Sequence, residues 1–267
     1  MKAFSSLFCA MAICALSAAG GVAAQDGAIP RAAAYGELAR LPDWGGVWQP
    51  DWSAIYGEGG RPTPKLLPAA QAEYDAFIAA QEEGRNVQGA DANCLPPGMP
   101  RIMQMPYPLE FLFSPGRVTI LAETYSQVRR IYTDGRQLPE DPDPFFNGHS
   151  VGHWEGDTLV VDTAGFSPLT IIAPGVEHSD KMIIHERFWL ERPDRLIAEI
   201  TITDPEVLDG PFVIRQPYDR KDEWEIREYV CQENNRDASD AQGRASIDLG
   251  LDGDGGDPFG PLEEEGE

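Results

Sequence analysis

The chemistry-bearing residues of this chain are unevenly distributed. All four histidines fall between His149 and His185, and two of them open the run Gly148-His149-Ser150-Val151-Gly152-His153-Trp154-Glu155-Gly156-Asp157. Histidine is the side chain whose ordinary pKa lies nearest neutrality and is the commonest metal ligand, so this stretch concentrates the options for proton transfer or ligation. Two carboxylates join them by strand periodicity. In 182–190, Met182, Ile184, Glu186, Phe188 and Leu190 alternate onto one face; in 223–231, Trp224, Ile226, Glu228 and Val230 do the same. Each segment sets one Glu among apolar neighbours on an expected inward face. An unpaired Glu there is pushed toward its neutral form by desolvation and can act as a general acid or base. The competing expectation is a purely structural ion pair. Arg130, alternating with Val128 and Tyr132, is the available partner, while Arg130 and Tyr132 are also candidates to orient a polar group on a ligand.

The spacing limits what the histidines can do together. His149 and His153 share a face of one strand but stand roughly 13 Å apart along it, too far to hold one metal ion. A metal site would need His149 with His178 and a carboxylate such as Asp162 or Glu186, which keeps His149 and His178 only as weak metal candidates. Asp162, His178 and Trp224 are otherwise candidate ligand contacts. Glu155-Gly156-Asp157 is first a tight turn, with Asp bonding the backbone. Ser150 neighbours His149, yet adjacent strand residues point to opposite faces and make no dyad. The run from Asp252 to Glu263 imitates a calcium loop but puts Asp257 where glycine is required. With no nucleophile elbow, phosphate loop or dinucleotide fingerprint, no cofactor is expected.

The elements that must position these residues are mostly strands. Segments 110–113, 117–123, 127–133, 149–154, 158–163, 182–190, 195–203, 212–215 and 223–231 are rich in β-branched and aromatic residues and separated by turn formers. About nine such strands, with short late connections, predict a mainly β fold: an antiparallel lipocalin-like barrel, or alternatively a two-sheet sandwich. One helix is expected near 69–81, with Tyr74, Phe77 and Ile78 on one stripe.

The ends of the chain and its charge bound the setting. Residues 1–24 have the basic start, apolar core and Val22-Ala23-Ala24 cleavage context of a signal peptide, so export to the periplasm or beyond is expected. The organisation expected is this signal, a flexible lead-in over 25–40, a single β domain over 41–236 and an acidic, disordered tail over 237–267. Cys9 and Cys14 leave with the signal, which makes Cys94 and Cys231 a disulfide pair worth about 3–5 kcal/mol. Formal charge is −23. Such an excess argues against nucleic acid and anionic membrane surfaces, and no second apolar run suits stable membrane insertion. The expected partner is a small molecule, with the oligomeric state open.

Longer runs carry a resemblance. Gly46-Val47-Trp48 ahead of a series of antiparallel strands is similar to the Gly-x-Trp that opens lipocalin-like barrels. Asn93-Cys94-Leu95-Pro96-Pro97-Gly98-Met99-Pro100, Pro115 to Ile120, Arg129 to Arg136, Gly148 to Thr163, Glu186-Arg187-Phe188, Thr203-Asp204-Pro205 and Glu228 to Asn234 resemble a large family of exported bacterial proteins without an assigned activity. The resemblance covers residues 42–236 and implies a fold, not a reaction. His153 stands where that family carries a basic residue and His185 is displaced from its usual histidine, so neither is expected to serve a shared activity. The resulting functional expectation is an exported enzyme doing acid/base work in an apolar barrel cavity, of isomerase, cyclase, lyase or hydratase type. Glu186 and Glu228 would be the acid and base, with His149 assisting. The alternatives are a periplasmic binding protein for a small apolar ligand and, more weakly, a metal-dependent hydrolase.

Overall fold

The computed structural model describes residues 35–51, 53, 62–84, 94–231, 238–239 and 245–246. The expected signal peptide, most of the lead-in and nearly all of the acidic tail lie outside the described residues. Tyr35–Leu38, at the end of the lead-in, forms a single helical turn (α1).

Nine strands close into a barrel in chain order, which decides for barrel over sandwich. They are β1 (Val47–Pro50), β2 (Leu109–Ser114), β3 (Arg117–Ala122), β4 (Gln127–Tyr132), β5 (His149–Glu155), β6 (Thr158–Ala164), β7 (Ile183–Arg192), β8 (Arg195–Thr203) and β9 (Phe212–Lys221). The four residues of β1 are the closing splice: Trp48 pairs with Leu109 on one side and Arg220 on the other. The helix expected near 69–81 is Pro68–Glu82 (α2), started by a proline whose missing N–H costs nothing at that position. It is tied to the barrel by the Leu67 amide on the Val207 carbonyl and by Phe77 against Gly175.

Two expectations about the strands need correction. The final segment, 223–231, forms no strand; β9 runs on to Lys221 instead, and Trp224 and Glu228 are exposed. Alternation there had no sheet partner, because β1 already occupies the far edge of β9. The barrel is also not wholly antiparallel. β4 and β5 pair parallel, Ile131 with Ser150 and Tyr132 with Val151. A parallel neighbour requires the chain to return along the whole strand before pairing. Residues 133–148 make that return, outside the wall.

Buried side chains form a continuous core through the barrel. A barrel of about this strand number has an interior wide enough for side chains to fill or for one small ligand. Trp44 closes one end, in aromatic contact with Phe111, Phe113, Trp154 and Phe188 at 5.3–6.4 Å between ring centroids. Met99, Ile102 and Met103 join the same core from the Cys94–Met105 segment, and the Tyr218 hydroxyl donates to the Met103 carbonyl. Gly98 lets that segment lie close: a Cβ on it would fall 2.3 Å from the Phe146 carbonyl oxygen. Cys94 and Cys231 form the expected disulfide across a sequence separation of 137. No helix among the described residues is long and apolar enough to cross a membrane.

Candidate functional site

Glu186 faces inward, as alternation predicts, and is completely buried between Ile184 and Phe188. Its partner is Arg129, not Arg130. Arg129 Nη1 donates to Glu186 Oε1 at 2.8 Å and Nη2 to Oε2, and the same guanidinium reaches Ser150 Oγ at 3.2 Å and Thr163 Oγ1 at 3.0 Å. Sequence alone left the frame of β4 ambiguous, because two arginines stand side by side and apolar residues flank both. Burial places Arg129 and Ile131 inside and Val128, Arg130 and Tyr132 outside. The condition for a proton-transferring Glu, a buried carboxylate without a partner, is therefore not met at Glu186. Nor is it met at Glu228, which lies in the exposed 222–231 segment. That residue and Trp224 instead line an open cavity of about 790 Å³ beside Tyr107 and Glu123.

Aromatic and aliphatic side chains and the Arg129–Glu186 pair lie in the barrel interior, where the sequence leads one to expect the ligand. The residues expected to orient a ligand gather elsewhere. Because β4 and β5 run parallel with Ile131 beside Ser150, the preceding pair, Arg130 and His149, stand side by side on the outer face, and Tyr132 stands beside Val151. The returning 133–148 segment crosses this outer face and makes the opposite wall. Between them lies a groove of about 800 Å³, lined by Val128, Arg130, Tyr132, Arg136, Phe145 and His149 among others. That volume is within the range of small-molecule sites.

Each polar group of the groove is held differently. Arg130 is exposed and makes no ion pair or side-chain hydrogen bond among the described residues. Arg136 is clamped: Nε and Nη2 donate to the Asp134 carboxylate at 2.9 and 2.6 Å, and its guanidinium carbon sits 3.7 Å over the Tyr132 ring. That hydrogen bond from Arg136 holds the Asp134 carboxyl below the ordinary aspartate range against a smaller opposing push from burial. His149 Nε2 donates to the Asp143 carbonyl at 2.8 Å, and its ring stacks on Phe145 with centroids 4.6 Å apart. In the neutral ring this fixes the proton on Nε2 and leaves the Nδ1 lone pair exposed as an acceptor. Phe145 itself is anchored by backbone bonds with Gly165 and Ser167. Gly148, at φ +61°, makes the entry into β5 where a Cβ would strike Phe166, Thr163 and the Ala164 carbonyl at 2.8–2.9 Å.

The remaining candidates are not brought into this groove. His178 uses both ring nitrogens within its own loop, Nδ1 on the Ser179 carbonyl and Nε2 against Thr170 Oγ1 and the Ser167 carbonyl. Asp162 accepts from His185 Nδ1 at 2.8 Å on the outer wall. Among the described residues no three of His, Cys, Asp and Glu converge as a metal site, so His149 and His178 are not joined by the required carboxylate. Residues the sequence reading missed are Arg136, Phe145 and Arg129. The Asp134-Gly135-Arg136 turn was visible as a turn, but nothing in spacing showed that the segment after it folds back along β4. No protein-family model matches the chain, and no curated protein matches it in sequence.

Proposed function

We propose that this is an exported small-molecule-binding barrel whose ligand sits in the outer groove at the parallel seam, not in the lumen. The observation that carries this reading is the convergence of Arg130, Tyr132 and His149, from two strands adjacent only in three dimensions, on one cavity of ligand size. Arg130 supplies a guanidinium free to donate a bidentate pair of hydrogen bonds to an anionic group, in a chain whose net charge is −23 and where Arg136, Arg187 and Arg195 are already paired. The lumen's ion pair and packed aromatics hold the wall rigid behind the site. Export is supported by the Cys94–Cys231 disulfide, which persists in oxidising compartments.

The test compares small carboxylates with their neutral amides by equilibrium dialysis. Acids should bind and amides should not, and Arg130→Gln should remove the difference. Equal retention of acid and amide would sink the reading. Export is checked separately, by whether the mature chain recovered from the periplasm begins at Gln25.

One observation favours a second reading. His149, anchored through Nε2 with Nδ1 free beside a guanidinium, has the arrangement of a general base next to an anion-stabilising group. An isomerase, cyclase, lyase or hydratase acting in this groove would turn its ligand over, and His149→Gln would abolish turnover even at saturating ligand.

A further inference from the structure

We infer that the groove selects a hydroxylated aromatic carboxylate, a ligand class that rests on the groove being the binding site. Three features of the walls specify three parts of such a molecule. Arg130 is an exposed guanidinium with no carboxylate partner among the described residues, and its planar fork matches a carboxylate. A phosphate or sulfate would meet the same fork, but the second cation of the groove, Arg136, is already spent on Asp134. One singly charged group is therefore the better match.

The second feature is aromatic. Phe145 is 53% exposed, and its ring is stacked on His149 at an interplanar angle of 26°. The Arg136 guanidinium carbon sits 3.7 Å over the Tyr132 ring centroid. The groove thus offers two layered π surfaces, with Val128 and prolines 139 and 144 as the apolar remainder. Stacked rings reward a planar π face over an aliphatic body of the same size.

The third feature is the hydrogen-bonding sense of His149. Its Nε2–Cδ2 edge is turned to the loop: Nε2 meets the Asp143 carbonyl and Cδ2 lies 3.1 Å from where a Gly165 Cβ would stand. Nδ1 is on the opposite edge and acts as an acceptor in the neutral ring, so its complement is a donor on the ligand. A phenolic hydroxyl supplies one. Register places His149 beside Arg130, so carboxylate and hydroxyl are read by neighbouring side chains across the seam.

Isothermal titration calorimetry of the full protein decides this with cinnamate, its ortho-, meta- and para-hydroxy derivatives, and 3-cyclohexylpropionate, which has similar bulk without a π face. The expected result is cinnamate above cyclohexylpropionate and at least one hydroxycinnamate above cinnamate, each by about three- to tenfold. Arg130→Gln should weaken every carboxylate about ten- to hundredfold. His149→Phe should erase the preference for hydroxyl while cinnamate still binds, and Phe145→Ala should erase the preference for the aromatic ring. Unchanged melting transitions in the three variants establish that the barrel is intact. If cyclohexylpropionate binds as well as the cinnamates and Arg130→Gln weakens all of them, the ligand class is wrong and the groove stands. If no carboxylate binds, or Arg130→Gln changes nothing, the groove reading itself falls.

Discussion

Glu186→Gln should cost the barrel a large part of its stability without altering the outer groove. Arg129 and Glu186 are 1% and 0% exposed, and the guanidinium spends its donors on Glu186, Ser150 and Thr163. The amide keeps the shape of the carboxylate but removes its charge, leaving a buried guanidinium uncompensated. Breaking a buried pair from one side costs about 3–5 kcal/mol, against total stabilities of about 5–15 kcal/mol for folded proteins. For a domain of this size that corresponds to a fall in melting temperature of about 6–20 °C. Urea unfolding followed by far-ultraviolet circular dichroism, with the disulfide kept oxidised, measures it as a lower midpoint at unchanged slope. The double replacement Arg129→Met with Glu186→Leu removes both charges and should recover to within about 2 kcal/mol of the parent or better. It leaves Ser150 and Thr163 satisfied, since their hydroxyls already hydrogen-bond each other at 2.9 Å. A cost below about 1 kcal/mol for Glu186→Gln would refute the account of the lumen as a closed electrostatic core. Loss of ligand binding or turnover with undiminished stability would return Glu186 to the role of a working acid or base.

Two further outcomes follow from the same structure. Removing the Cys94–Cys231 bridge, by Cys94→Ser with Cys231→Ser, frees a closure of 137 residues and should cost about 4–5 kcal/mol in urea unfolding; a change below about 1 kcal/mol would contradict its cross-linking role. Tyr218 is fully buried, and burial first, then the nearby Glu186 charge, raises its hydroxyl well above the ordinary value of 10. A raised folded-state value means its contribution is complete below pH 10 and declines as pH rises beyond it, because only the unfolded chain then loses the proton. Alkaline ultraviolet titration should show that tyrosine ionising only with unfolding, and Tyr218→Phe should flatten that part of the pH–stability curve.

Local pattern was enough for eight of the nine barrel strands, all but the four-residue β1, and for the inward and outward faces within β7, the helix after Pro68 and the cysteine pair. These depend on local periodicity, turn residues and count, which are written in consecutive positions. Glu186 was legible as an inward carboxylate for that reason. Its partner was not, because Arg129 and Arg130 are adjacent and period two assigns opposite faces without saying which is inside. Glu223–Cys231 failed for the opposite reason: alternation describes a strand that could pair, but the edge it needed was already taken by the four residues of β1. The groove depended entirely on tertiary structure. Arg130, Tyr132 and His149 were all named from sequence as candidates, yet their meeting requires β4 and β5 to pair in parallel, with 133–148 returning over the outside of the wall. A parallel register is a long-range fact, set by which edges the remaining strands leave open, and no pattern within either strand encodes it.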